Sequence, residues 1–352
     1  MVIQQNIITG FIGTYTDGES EGIYRFNFNT NTEKIEKIFL TYNIGNPTYL
    51  CLDKENNILY TSCKIDNKCG VASLKYYAEK DTLHLVNYNT NENKQPCHVS
   101  IDNNKEILIS SNYHENKMIV YDTLCGIILN YPYIGSNCGS SINVERQNEP
   151  HIHCSITSHN NKYILSCDLG IDKLTVYEYK NKKTTRKENL DICLTKGSGP
   201  RQIVYSKNKH YYYILSELSS EIFVYKYKEE ENSILKHIQT ISSVNNNYKA
   251  AKLGAAIKIH PNEKFLYTTD RGNNTLNLFY INSANGTLTY VKSYNTEGSS
   301  PRDFSIDPEG KYLFCANQNS NNISIFSINT SDGNLNFIEK CNVPSPSCVI
   351  FG

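Results

Sequence analysis

Three observations predict an all-β chain closed into a seven-bladed β-propeller with four-stranded blades. Helical periodicity is nearly absent, and short alternating apolar runs separated by Asn, Asp and Gly fill the 352 residues. A unit of four such runs recurs roughly every 50 residues. The chain starts partway through one unit and ends on a lone first strand, so its two ends together make a seventh.

Complete units begin at Pro47, Pro96, His151, Pro200, Gly254 and Pro301. The last shows the pattern most plainly. Strand A covers 302–306 and stops at the turn Asp307-Pro308-Glu309-Gly310. Strand B is 311–317 and strand C is 322–326; Ser331-Asp332-Gly333 then turns the chain into strand D, 334–339. These turn residues tolerate tight or left-handed backbone. Residues 346–352 form a strand A with nothing after it. Residues 11–16 form a strand B with nothing before it, followed by strands C (22–26) and D (34–39). Pairing the orphans closes the ring with the C-terminal strand in the N-terminal blade, and closure removes the raw sheet edges of an open array. A β-sandwich offers no reason for a lone terminal strand. The expected organisation is a single domain, 1–352.

Composition narrows the function. Thirty-five basic residues balance 35 acidic ones, which argues against a nucleic-acid surface or a charged membrane surface. No run approaches the length of a membrane span, and Met1 to Asn6 carry neither the basic nor the apolar part of a leader. Twelve cysteines lie at irregular positions without metal-site spacing. Free thiols in a reducing cytoplasm are therefore expected. Asn-rich tracts such as Val244-Asn245-Asn246-Asn247 read as loops. Tryptophan is absent, so the Trp-Asp propeller class does not apply.

Strand A runs one way and strand B returns, so the start of A and the end of B share one face of the disc. Aligning the units on their apolar positions gives one column at the start of A: Tyr49, His98, His153, Gln202, Ala256, Asp303 and Cys348. Fifteen residues further on, a second column marks the end of B: Lys64, Tyr113, Asp168, Glu217, Arg271 and Gln318, with Tyr15 in the split unit. The second column is polar or charged throughout. Exposed loop starts would account for polarity alone, but the mixture of acids, cations, amide and phenol fits a polar pocket at the channel mouth better. Arg201 and Arg302 stand one residue before the first column and add positive charge at the same rim.

At this point the chain resembles a known family. Gly13-Thr14-Tyr15-Thr16, Asn46-Pro47-Thr48-Tyr49-Leu50, Pro96-Cys97-His98-Val99-Ser100, Arg146-Gln147 before Pro150-His151-Ile152-His153, Asp168-Leu169-Gly170-Ile171-Asp172, Gly199-Pro200-Arg201, Asp270-Arg271-Gly272-Asn273, Pro301-Arg302-Asp303-Phe304 and Ala316-Asn317-Gln318 carry the likeness. Together they resemble the seven-bladed propeller lactonases, which include bacterial propeller-type 6-phosphogluconolactonases and fungal 3-carboxy-cis,cis-muconate lactonizing enzymes. The resemblance implies lactone chemistry on an anionic small molecule, with His153, Glu217, Arg201 and Arg271 as the catalytic set. It points first to hydrolysis of 6-phosphogluconolactone in the pentose phosphate pathway. A lactonizing cycloisomerase and a silent propeller that binds a partner or metabolite through its rim are the alternatives.

The residue chemistry agrees with an enzyme. An imidazole at position 153 can take a proton from water and return it to a leaving alkoxide, with Asp168 or Glu217 expected to orient it. The expected substrate-binding residues are Asp168, Arg302, Gln318, His98, Tyr113, Lys64 and Arg146. The forked donors of Arg201, Arg271 and Arg302 suit a carboxylate or phosphate. Asp168 and Asp172, four residues apart, lack the ligand loop of a calcium site, so neither metal nor cofactor is expected. The expected partner is a small anionic lactone, with no nucleic acid and no membrane, and the protein is expected as a monomer or weak homo-oligomer.

Overall fold

In a ring of blades every inner strand has a neighbouring sheet on both faces, so it reads as a continuous buried run rather than an alternating one. Tyr211-Tyr212-Tyr213-Ile214-Leu215-Ser216 is such a run, and all six residues are buried. The outermost strand of a blade has one wet face, and Lys34–Asn43 accordingly alternates between exposed and half-buried residues. The computed structural model describes all residues except 1–5, 131, 207, 209, 231–232 and 246–249. Most of the stretch tested for a leader and Asn246-Asn247 thus lie outside the described residues.

Seven antiparallel sheets surround a channel. Blade 1 is built from Pro346–Phe351, Ile7–Thr14, Gly22–Asn29 and Lys34–Asn43, running outward from the channel. Blade 2 runs from Leu50–Asp53 to Thr82–Glu92, and blade 3 starts at His98–Ile101. Blades 4 to 7 start at Ile152–Thr157, Pro200–Tyr205, Gly254–Ile259 and Pro301–Ile306. The terminal strand closes the ring as the sequence implies: Gly10 pairs with Phe351, Phe11 with Ile350, Ile12 with Val349 and Gly13 with Cys348.

Among the described residues the core is divided into seven apolar clusters, one at each junction between neighbouring blades. At the closing junction Phe314 stacks on Phe26 at 4.9 Å and meets Phe351 edge-on at 5.1 Å. Two blades depart from the simple pattern at their outer edge. In blade 3 the fourth strand is split into Ile127–Ile128 and Tyr133–Gly135. In blade 4 Lys183–Arg186 and Ile192–Cys193 share the third strand, with a 3-10 turn between them. The chain leaves blade 3 through the 136–151 segment, which carries Arg146 to the channel mouth.

Candidate active site

A recurring backbone irregularity builds the site. The ladder between strands A and B slips at the start of A in blades 4, 5, 6 and 7, between Ile152 and Cys154, Pro200 and Gln202, Gly254 and Ile257, and Pro301 and Asp303. A bulge re-aims the side chain of its extra residue. The bulged His153, Arg201 and Arg302 all line the channel cavities.

These bulges correct the sequence alignment in blade 4. The backbone N–H groups of Glu217, Arg271, Gln318 and Tyr15 each donate to the carbonyl eighteen residues earlier around the ring, or to its counterpart across the chain ends: Gly199, Leu253, Ser300 and Ser345. The residue making that bond in blade 4 is Leu169, to His151. Asp168 therefore falls one position short of the Glu217 column, and His153 corresponds to Arg201 rather than to Gln202. A one-residue slip sends a strand's side chains to the opposite face. Asp168 is fully buried inside the blade, accepting from His151 N at 2.8 Å, Gly170 N at 3.0 Å and Asn137 Nδ2 at 2.7 Å. It neither lines the mouth nor orients His153.

The mouth is a cavity of about 360 Å³ lined by Tyr113, Arg146, His153, Arg201, Glu217, Arg271 and Arg302, among others. Glu217 is its centre of charge. Oε1 accepts from Arg146 Nη2 at 2.6 Å, and Oε2 lies 3.0 Å from Arg201 Nε and 2.8 Å from Arg271 Nη2. Burial alone would raise its pKa, but Arg271, Arg201 and Arg146 outweigh burial and hold it at about 2. Three guanidiniums thus share one carboxylate, and Arg302 adds a fourth to the cavity lining. Arg201 is further fixed by a hydrogen bond from Nη1 to the Ala255 carbonyl. Arg271 is not fixed in this way: Nε and Nη2 make no hydrogen bond, although Nη2 is within ion-pair distance of Glu217. Its pKa is lowered to about 10 by burial, against the pull of Glu217 and with the other arginines adding to the effect.

Burial first, then Arg201 and Arg302, push the His153 pKa well below 6.5. The ring is therefore neutral, and among the described residues no side chain hydrogen-bonds to it. Tyr113 stands edge-on at 6.0 Å, itself stacked on His151 at 4.1 Å. Arg302 donates to Gln318 Oε1 at 3.2 Å and lies over the Tyr15 ring at 5.1 Å. Gln318 thus orients Arg302 instead of lining the cavity. Lys64 is exposed and outside both cavity linings. His98 lies deeper, in the channel throat.

The acid in the Asp168 to Asp172 motif that matters to the mouth is the second. Asp172 accepts from Ser141 Oγ at 2.5 Å and Gln147 Nε2 at 2.8 Å, on the segment that carries Arg146. It also accepts from Gly197 N at 2.6 Å and Gly199 N at 2.7 Å, just before Arg201. One buried carboxylate therefore ties together the two loops that deliver arginines to Glu217. Gly199 has φ +64°, and a Cβ there would come within 2.7 Å of Leu218, so the approach to Arg201 requires glycine.

The profile of the family described as "Lactonase, 7-bladed beta-propeller" matches residues 9–351. The chain belongs to the seven-bladed propeller lactonases. A 6-phosphogluconolactonase of Bacillus subtilis (strain 168) is 33% identical over 298 residues, 85% of this chain and 84% of the relative. A solved protein from Lactobacillus plantarum superposes with a TM-score of 0.91 at 29% identity, over 98% of this chain and 99% of that one. The periplasmic gluconolactonase of Pseudomonas aeruginosa superposes at 0.90 with 24% identity, over 98% of this chain and 99% of that one, and speaks for the fold.

The ion cluster at the mouth also carries stability. Replacing Glu217 with Gln leaves three arginines without their counter-ion and is expected to cost on the order of 3–5 kcal/mol at pH 7. Because the folded pKa is depressed, wild type enjoys this stabilisation fully above the ordinary glutamate value of 4.5 and loses it as pH falls toward about 2. Denaturant melts at pH 7, 5 and 3 should show the gap between the two proteins constant at first, then closing. A gap that widens in acid contradicts the assignment.

Proposed function

We propose that this lactonase hydrolyses a sugar lactone bearing an anionic group, with 6-phosphogluconolactone as the foremost candidate. The observation that carries the reading is the mouth itself: four arginines line it, three of them share the single carboxylate of Glu217, and Arg271 Nε is buried with no hydrogen-bond acceptor. Unmet guanidinium donors call for an anion, and their forked geometry suits phosphate or carboxylate oxygens.

The reaction follows from the same residues. His153, held neutral, takes a proton from a water as the water oxygen adds to the lactone carbonyl. The carbonyl oxygen becomes an oxyanion, and the guanidinium of Arg271 or Arg201 stabilises it. The tetrahedral centre then collapses, the ring C–O bond breaks, and the imidazolium returns its proton to the departing alkoxide. The product is the open-chain hydroxy acid. Glu217 holds the arginines in place and, with a pKa of about 2, is too weak a base to abstract the proton. The B. subtilis relative named 6-phosphogluconolactonase supports the phosphorylated substrate.

Fresh 6-phosphogluconolactone, assayed with correction for its spontaneous hydrolysis, tests the proposal directly. Wild type no faster than the uncatalysed rate refutes it. Arg271→Ala is expected to lower kcat/KM about ten- to a hundredfold, the equivalent of roughly 1.5–3 kcal/mol for one charge-assisted bond. Arg271→Lys should recover little of that loss. An equal loss on unphosphorylated gluconolactone means that Arg271 acts at the carbonyl and not on the phosphate.

A further inference from the structure

Next to the mouth the channel narrows to a throat with a void of about 10 Å³, enough for one water-sized group. Thr48, Cys97, His153, Arg201 and Arg302 line both this void and the mouth, so a ligand in one touches the walls of the other.

Two walls of the throat are chemically unfinished. Asp303 is 2% exposed, and neither carboxylate oxygen makes a hydrogen bond. Lys258 Nζ lies 3.3 Å from Oδ1 and balances the charge. The Cys348 thiol is also near, pushed well above the usual thiol range by burial and by Asp303, but a thiol is a weak donor. Leaving buried acceptors unfilled is costly. His98 is 5% exposed, and its Nδ1 has no partner. Its Nε2 lies 3.4 Å from Cys154 Sγ. Burial, then Lys258 and Arg201, lower the His98 pKa to about 3, so the ring is neutral. In the tautomer where the Cys154 thiol donates to Nε2, the hydrogen sits on Nδ1 and needs an acceptor.

We infer that the throat is a hydroxyl-reading subsite, in which one hydroxyl of a polyhydroxylated ligand donates to Asp303 and accepts from His98 Nδ1. A hydroxyl is both donor and acceptor and is the size of the void. A phosphate is too large and repels the carboxylate. A methylene offers the Asp303 oxygens no donor beyond Lys258 and the Cys348 thiol. The mouth thus takes the anion and the throat reads the sugar. This rests on the sugar-lactone reading for the identity of the ligand, but not on the arginines.

Titration calorimetry with 6-phosphogluconate, gluconate and inorganic phosphate separates the two parts. Asp303→Asn alone strands Lys258, so Asp303→Asn combined with Lys258→Met is made beside it to remove both charges. The double variant should melt near wild type, bind 6-phosphogluconate at least about tenfold more weakly, and bind inorganic phosphate as wild type does. Unchanged affinity for 6-phosphogluconate overturns the inference, as does an equal loss for inorganic phosphate. If wild type ignores phosphate yet binds gluconate, and the variant loses that binding, the throat stands and the phosphate-binding role of the mouth falls. Wild type that binds neither sugar acid overturns the throat as well.

Discussion

A chain ending at residue 345 is expected to lose its cooperative melt at the wild-type temperature. The missing strand, Pro346–Phe351, is the innermost of blade 1 and pairs with Ile7–Thr14. Val349 and Phe351 belong to the cluster that joins blade 7 to blade 1, with Phe26, Phe28 and Phe314. Burial of those two side chains contributes about 3–6 kcal/mol, at 1.5–3 each, against a typical total of about 5–15. Deletion also opens the edge of Ile7–Thr14 and uncovers two interblade faces. Circular dichroism melts of the full and shortened chains decide the matter. A shortened chain with the same melting temperature refutes ring closure as a source of stability.

His153→Gln should lower kcat about 10²–10⁴-fold, the range for loss of a general base, with KM changed only a few-fold. A proton acceptor acts in the transition state and not in ground-state binding. The pH profile offers a second readout. Burial and the neighbouring arginines push the His153 pKa well below 6.5, so the basic form persists as pH falls through 6.5. Turnover on unphosphorylated gluconolactone, which has no titrating phosphate, should therefore show no acid limb centred at 6.5. A halving near pH 6.5 means an unperturbed histidine and contradicts the burial seen here. If His153→Gln keeps wild-type turnover, the base lies elsewhere, and Asp303 in the throat is the next residue to replace, since Glu217 is held by arginines and Asp168 is sealed in its blade.

Much of the site was legible because the bulk of it is periodic. Glu217, Arg271 and Tyr15 occupy equivalent positions in their blades, so counting along the repeat finds them. Arg146 lies outside any repeat, on the 136–151 segment, and only the family likeness pointed to it. Asp303 stood in an aligned column, but nothing in the sequence marked its oxygens as unbonded. Asp172 showed in the sequence only as an acid four residues after Asp168, because its partners are 25 to 31 positions away, on two separate loops.

The sequence by itself determined the all-β class, the sevenfold repeat and the joining of the ends. Those depend on the order of apolar runs and turn residues along the chain, where each signal is local. Only the tertiary structure decided which side chains enter the channel. A bulge adds one residue to one strand without disturbing the apolar pattern, yet the side-chain period of two turns that single residue into a change of face. Asp168 was moved into a blade by this shift, and His153 was brought into the same ring as Arg201 and Arg302.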